Sequence, residues 1–272
     1  MSGVSDLPPL REVIARHGLD ARRSLGQHFL LDGNLTARIA RSAGDLTGRH
    51  VIEVGPGPGG LTRALLASPA SSVTVIEVDD RAVAVMHELA KQVGGRLTVI
   101  DGDAMRIDLA TLVSPPRQIV ANLPYNIASP LLVAWLRQGS AFERLTLMFQ
   151  QEVADRICAQ PNTSAYGRLS VLAQWVADVD VMVRLPPDAF VPPPKVWSAV
   201  VGFVPHAEQP SGELFGRMER LTAAAFGQRR KMLRGSLKLL GGEALLGKAE
   251  IAADRRAETL SVAEFDRLVR LL

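Results

Sequence analysis

The stretch "HVIEVGPGPGGLT" (residues 50–62) joins an apolar, β-branched run to a glycine-rich loop and then to helix-type spacing. Val51, Ile52 and Val54 favour a strand, and so continuous an apolar run fits a strand covered on both faces. The pattern recurs along the chain. Residues 72–78, 96–100, 117–121 and 144–149 read as further buried strands. Residues 59–68, 80–92 and 129–137 read as helices between them, with Asp80 and Ser129 as N-caps of the last two. Strands alternating with helices imply βαβ units, hence an α/β fold with a mostly parallel, Rossmann-like sheet. Two more strands, 179–185 and 198–204, lie too close for a crossover helix and predict an antiparallel element at one edge. "PHAEQPSGE" (205–213) is a polar linker, and the spacing beyond it is helical. The expected organisation is a catalytic domain over 1–205 and a small α-helical domain over 206–272.

At 272 residues with 47% hydrophobic content, the chain is long enough for one large domain and one small one. The single cysteine, Cys158 in "VADRICAQP", allows no intramolecular disulfide and reads as a buried structural thiol, as in a reducing cytoplasm. "MSGVSDLPPLREV" lacks the basic-then-apolar order of a signal peptide, and no apolar run is long enough for a bilayer. No membrane or protein partner is evident. Net charge is +3, unevenly spread. Residues 1–205 hold 19 basic and 19 acidic side chains, whereas residues 206–272 hold 12 and 9. Between Arg217 and Lys238 seven basic residues face one acid, Glu219, which fits either a polyanion-binding patch or a solvated helix face.

The glycine loop narrows the ligand. Gly55, Gly57 and Gly59 let the backbone turn and approach a bound molecule. Glu77 closes the next strand about 20 residues on, where a ribose diol would be held. Asp103 and Ala104, in "GDA", close the third strand at the same rim. The loop lacks the Gly-Lys-Ser/Thr end of a nucleotide-triphosphate loop and departs from the dinucleotide fingerprint. Glu53, two residues before Gly55, would repel phosphate and attract a cation; it would otherwise cap loop amides. S-adenosylmethionine, a sulfonium and ammonium ligand without phosphate, matches this set.

"NLPYNIASPL" (122–131) follows the fourth strand with no carboxylate pair, metal-ligand pair or Ser/His/Asp set. By itself it could be a turn. At the rim of a methyl-donor site it reads as a clamp for an exocyclic base amine. Asn122 would accept one amino N–H. The carbonyl of Leu123, kept extended by Pro124, would accept the other, and Tyr125 would stack on the base. No strong base is needed, because the proton leaves only as the new N–C bond forms; catalysis is positioning and polar preorganisation.

Together "EVGPGPGGLT", "GDA", "NLPYNIASPL", "SLGQHFLLD" (24–32), "FVPPPKVWSAVV" (190–201) and "AAFGQRRKMLRGSL" (224–237) resemble the ribosomal RNA adenine N6,N6-dimethyltransferase family. The resemblance runs from about residue 22 to the last helix. It is nearest the bacterial branch that dimethylates two adjacent adenosines near the 3′ end of small-subunit rRNA. It implies a class I methyltransferase sheet, S-adenosylmethionine as cofactor, no metal, and rRNA in a pre-ribosomal subunit as partner. It further implies His28 and Leu30 over the cofactor, Gly55 at its methionine end, Glu77 at the ribose, Asp103 at the adenine and Asn122 at the reactive end. Phe190 would be the second aromatic face on the target adenine. Lys195 and the Arg229, Arg230 and Lys231 cluster would meet phosphate; Arg234 and Lys238, at helical spacing from Arg230, would extend that face. Trp197 departs from the small or acidic residue that the resemblance implies at its position. The rivals are a large-subunit rRNA methylase, an assembly checkpoint with secondary catalysis, and a small-molecule or DNA methylase.

Overall fold

The computed structural model describes residues 7–22, 26–228 and 230–272. Among the described residues nine strands form two sheets: β1 (Phe29–Leu30), β2 (His50–Val54), β3 (Ser72–Glu77), β4 (Leu97–Asp101), β5 (Arg117–Asn122), β6 (Arg144–Gln150), β7 (Ala177–Leu185), β8 (Phe190–Val191) and β9 (Ser198–Pro205). Seven make one sheet in the order β4-β3-β2-β5-β6-β9-β7. β2 pairs in parallel with β3 and β5, β3 with β4, and β5 with β6, while β9 runs antiparallel to β6. The order reverses at β2, so the ends of β2 and β5 part there and leave a crevice.

The central strands are apolar because both their faces are covered. Val51, Ile52, Val73, Val75, Ile119 and Val120 are wholly buried, each worth about 1.5–3 kcal/mol of hydrophobic stabilisation. Leu61, Leu65, Met86 and Leu89, from the helices Gly60–Leu66 and Asp80–Gln92, join the same core. Two helix starts differ from expectation. The second helix is capped by Asp79, whose carboxylate accepts the Arg81 N–H, so Asp80 is its first residue. The third begins at Tyr125 and runs to Leu136, because the Pro124 carbonyl already accepts the Ile127 and Ala128 N–H groups; Ser129 lies inside it.

The chain divides into two compact units. The first takes residues up to Leu132, Ala141–Gln151 and Val181–Val204, and carries the sheet core. The second takes Val133–Ser140, Glu152–Asp180 and Pro205–Leu272, so it reaches well beyond the 206–272 segment expected. It packs helices Arg168–Val176, Gly212–Phe226 and Val262–Arg270 around aromatic contacts. Phe226 stacks on Phe265 at 5.6 Å, and Trp175 on Phe215 at 6.1 Å. Trp175 also donates to Asp266 (2.9 Å), and Glu219 bridges Arg137 and Arg168. Cys158 is half-buried rather than buried.

Candidate active site

Gly55 and Gly57 follow β2 at φ +71° and +52°, the left-handed region that glycine enters without cost. The Gly55 N–H donates to the Ile76 carbonyl (2.9 Å), which binds the turn to β3. A Cβ on Gly60 would stand 2.3 Å from the Leu30 carbonyl oxygen, so glycine is required for β1 to lie over the loop. The result is a cavity walled by the glycine loop, the ends of β3 and β5, and residues 26–30.

Three acids reach it: Glu53, Glu77 and Asp103; among the described lining residues there is no Lys or Arg. Glu53 is 1% exposed, and its Oε2 has no hydrogen-bond partner. Burial pushes its pKa up to about 8; a Thr62 hydrogen bond opposes the rise and the nearby Glu77 charge adds to it. Glu77 accepts N–H groups from Gly57 (3.2 Å), Val78 (2.8 Å) and Asp79 (3.0 Å). Burial raises its pKa against the pull of these bonds. Asp103 is more open, with its carboxylate on the Met105 N–H (2.9 Å) and Arg106 (3.7 Å); Ala104 beside it is buried. A buried carboxylate with an unpartnered oxygen, in a cavity without cationic walls, fits a cation-bearing, phosphate-free ligand. S-adenosylmethionine meets that description.

The opposite wall is the asparagine segment. Asn122 ends β5 and its Nδ2 donates to the His28 carbonyl (3.4 Å), which leaves Oδ1 to accept from a ligand. Leu123 and Pro124 line the cavity between Asn122 and Tyr125. The Tyr125 hydroxyl bonds Ser198 Oγ (2.7 Å), which fixes the ring. The His28 ring lies against it, centroids 5.7 Å apart and planes 28° from parallel, and its Nδ1 bonds the Pro192 carbonyl (2.8 Å). Leu30 also lines the cavity.

Sequence reasoning missed the network that anchors the 26–30 segment beside the cavity. Gln27 Nε2 donates to the buried Asp79 (3.0 Å), which pairs with Arg81 at 2.7 Å, and Arg81 reaches the Gly18 carbonyl at 2.8 Å. The pairing with Arg81 holds the Asp79 carboxyl down at about 2. Its only local signal was an Asp before a helix.

Two expectations are corrected. Phe190 does not reach the cavity. β8 pairs antiparallel with β1, Phe190 opposite Leu30, and the ring is buried in the core with Val183, Leu185 and Val200 at 2% exposure. A ring so covered offers no face to a base. Nor do Arg230, Arg234 and Lys238 share a helix. The helix Gly212–Phe226 ends before them, and the Leu233 and Arg234 N–H groups bond the Arg255 and Ala253 carbonyls, pulling the chain out of helical geometry. Among the described residues there only Leu233–Ser236 is α-helical, although Arg230, Lys231, Arg234 and Lys238 are all exposed. Lys195 is exposed between β8 and β9; Arg229, like Ser24 and Leu25 of the N-terminal motif, lies outside the described residues.

A switch-point crevice with a glycine loop, a buried acid wall and an asparagine at the end of the neighbouring strand is the arrangement of a class I S-adenosylmethionine-dependent methyltransferase. The family model "Ribosomal RNA adenine dimethylase" matches residues 18–272. "Ribosomal RNA small subunit methyltransferase A" of Gluconobacter oxydans is 65% identical over 265 residues, 97% of this chain and 88% of that one. Among solved structures, a dimethyladenosine transferase from Plasmodium falciparum superposes with a TM-score of 0.73 at 25% identity, over 89% of this chain and 96% of its own. The 23S rRNA methyltransferase ErmE superposes at 0.65 with 27% identity, over 90% and 99%. The chain belongs to the ribosomal RNA adenine dimethylase family.

Proposed function

We propose that this enzyme dimethylates N6 of two adjacent adenosines near the 3′ end of small-subunit rRNA, in a pre-ribosomal subunit in the cytoplasm. The observation that carries the reading is the clamp. Asn122, with its amide held by His28, and Tyr125, with its hydroxyl held by Ser198, share one cavity with the acid wall. The identity to the small-subunit relative, far above that to the large-subunit one, favours the small subunit as substrate.

S-adenosylmethionine, when bound, supplies an electrophilic methyl group on sulfur. Glu53 would meet its cationic amino-acid end, Glu77 its ribose and Asp103 and Ala104 its adenine. Gly55 and Gly57 permit close approach, and His28 and Leu30 cover it. An adenine amine is a poor nucleophile because its lone pair is spread into the ring. Asn122 Oδ1 and the Leu123 carbonyl accept its two N–H bonds and so localise the lone pair; Pro124 sets the carbonyl and Tyr125 the base plane. After one transfer a single N–H remains to be held, so the second methylation relies more on stacking. Lys195 and the exposed Arg230, Lys231, Arg234 and Lys238 are assigned to RNA phosphate. No helix among the described residues is long and apolar enough to cross a membrane.

Labelled cofactor, incubated with deproteinised and subunit-bound rRNA from cells lacking the modification, tests this. Label in N6,N6-dimethyladenosine at two adjacent small-subunit positions is expected. Label in large-subunit rRNA, or in neither, contradicts it.

A further inference from the structure

The end of β8 and the segment between it and β9 expose an uncommon amount of apolar surface for so short a stretch. Trp197 is 51% exposed, Val196 43% and Val191 46%, with Lys195 exposed beside them. The segment is nonetheless tied down. Its first carbonyl, of Pro192, holds the His28 ring, and its last, of Trp197, accepts the Gln151 N–H (2.8 Å). The next residue, Ser198, is fully buried and bonds the Tyr125 hydroxyl at 2.7 Å. The chain thus fixes the backbone that carries an indole one residue from the contact that sets the base-stacking ring, and leaves that indole half exposed. No ring among the described residues stacks on it. The other tryptophans are accounted for: Trp135 is buried and Trp175 is bonded to Asp266.

We propose that Trp197 is a stacking platform for the nucleobase flanking the target adenosine, with Lys195 on the adjoining phosphate. This rests on the rRNA methyltransferase reading. A base drawn out of its stack leaves its neighbour with one bare face, and an exposed indole on a fixed segment covers such a face regardless of base identity. The commitment is to RNA rather than a protein ligand because the nearest functional contact serves the target base and the neighbouring side chain is a cation.

Trp197→Ala and Trp197→Phe are compared with wild type on whichever rRNA form accepts label. Trp197→Ala should raise KM for rRNA roughly five- to hundredfold with kcat little changed, and Trp197→Phe should restore most of the loss. On a synthetic rRNA fragment, making the flanking nucleotide abasic should cost wild type a similar factor and cost Trp197→Ala nothing more. Adenosylhomocysteine affinity and thermal midpoint should not move, because the side chain is exposed. An unchanged KM in Trp197→Ala, or an abasic penalty that persists in it, overturns the platform. A wild type that labels no rRNA defeats the methyltransferase reading instead.

Discussion

The acid wall and the asparagine wall of one cavity are held by different means. Glu77 is fixed by three main-chain N–H groups, and Glu53 by burial and a hydrogen bond with Thr62. Asn122 and Tyr125 are each held by one hydrogen bond, to the His28 carbonyl and to Ser198. The first arrangement is stiff and belongs to the loop and strand ends themselves. The second depends on segments distant in sequence, residues 26–30 and 198, closing over β5. The difference suits a cofactor held in one fixed pose on one side and, on the other, a polynucleotide base that must enter, accept two methyl groups and leave.

Substitutions on the two walls should therefore separate. On the clamp, Asn122→Ala should cut methyl transfer by roughly 10²–10³-fold, as loss of a preorganised polar partner does, while adenosylhomocysteine titration shows near-normal affinity. A matching loss of cofactor affinity would merge the two walls into one. Tyr125→Ala should cost about five- to hundredfold in rRNA affinity by loss of stacking, measured by titration with labelled rRNA. On the loop, Gly60→Ala drives a Cβ against the Leu30 carbonyl at 2.3 Å. It should destabilise the fold by about 1–3 kcal/mol, read as a lower denaturant midpoint, and weaken cofactor binding with it.

Smaller effects sharpen the contrast. Glu53 has its folded-state pKa raised to about 8 by burial. Its neutral form therefore stabilises the fold at low pH, and that contribution is lost as pH rises toward 8. Wild type should lose up to about 1.4 kcal/mol per pH unit between pH 5 and 8 relative to Glu53→Gln, measured by denaturant unfolding across pH. A parallel course for the two proteins would mean Glu53 is charged throughout. Tyr125→Phe, which removes only the Ser198 bond, should cost about 1 kcal/mol of stability and leave methylation within a few fold.

The sheet was legible because each strand is an apolar run whose signal is local. The 72–78, 117–121 and 144–149 runs became Ser72–Glu77, Arg117–Asn122 and Arg144–Gln150. The gathering of Gly55, Glu77 and Asn122 around one cavity was legible because all three sit at strand ends, where topology brings them together. What was not legible depends on partners far along the chain. The Gln27 to Asp79 bond spans 52 residues. Phe190 looks like any aromatic until β8 pairs with β1. The basic run from Arg230 has helical spacing, yet main-chain bonds from Leu233 and Arg234 to residues 253–255 unwind it. Residues 152–180 show nothing locally that assigns them to the second unit, since that assignment follows from packing rather than composition.

The most direct test is a crystal structure with adenosylhomocysteine and an oligoribonucleotide carrying the target adenosine. The account predicts the adenine N6 within hydrogen-bonding distance of Asn122 Oδ1 and the Leu123 carbonyl, with the base against Tyr125. An adenine whose amino group points away from both oxygens would contradict it.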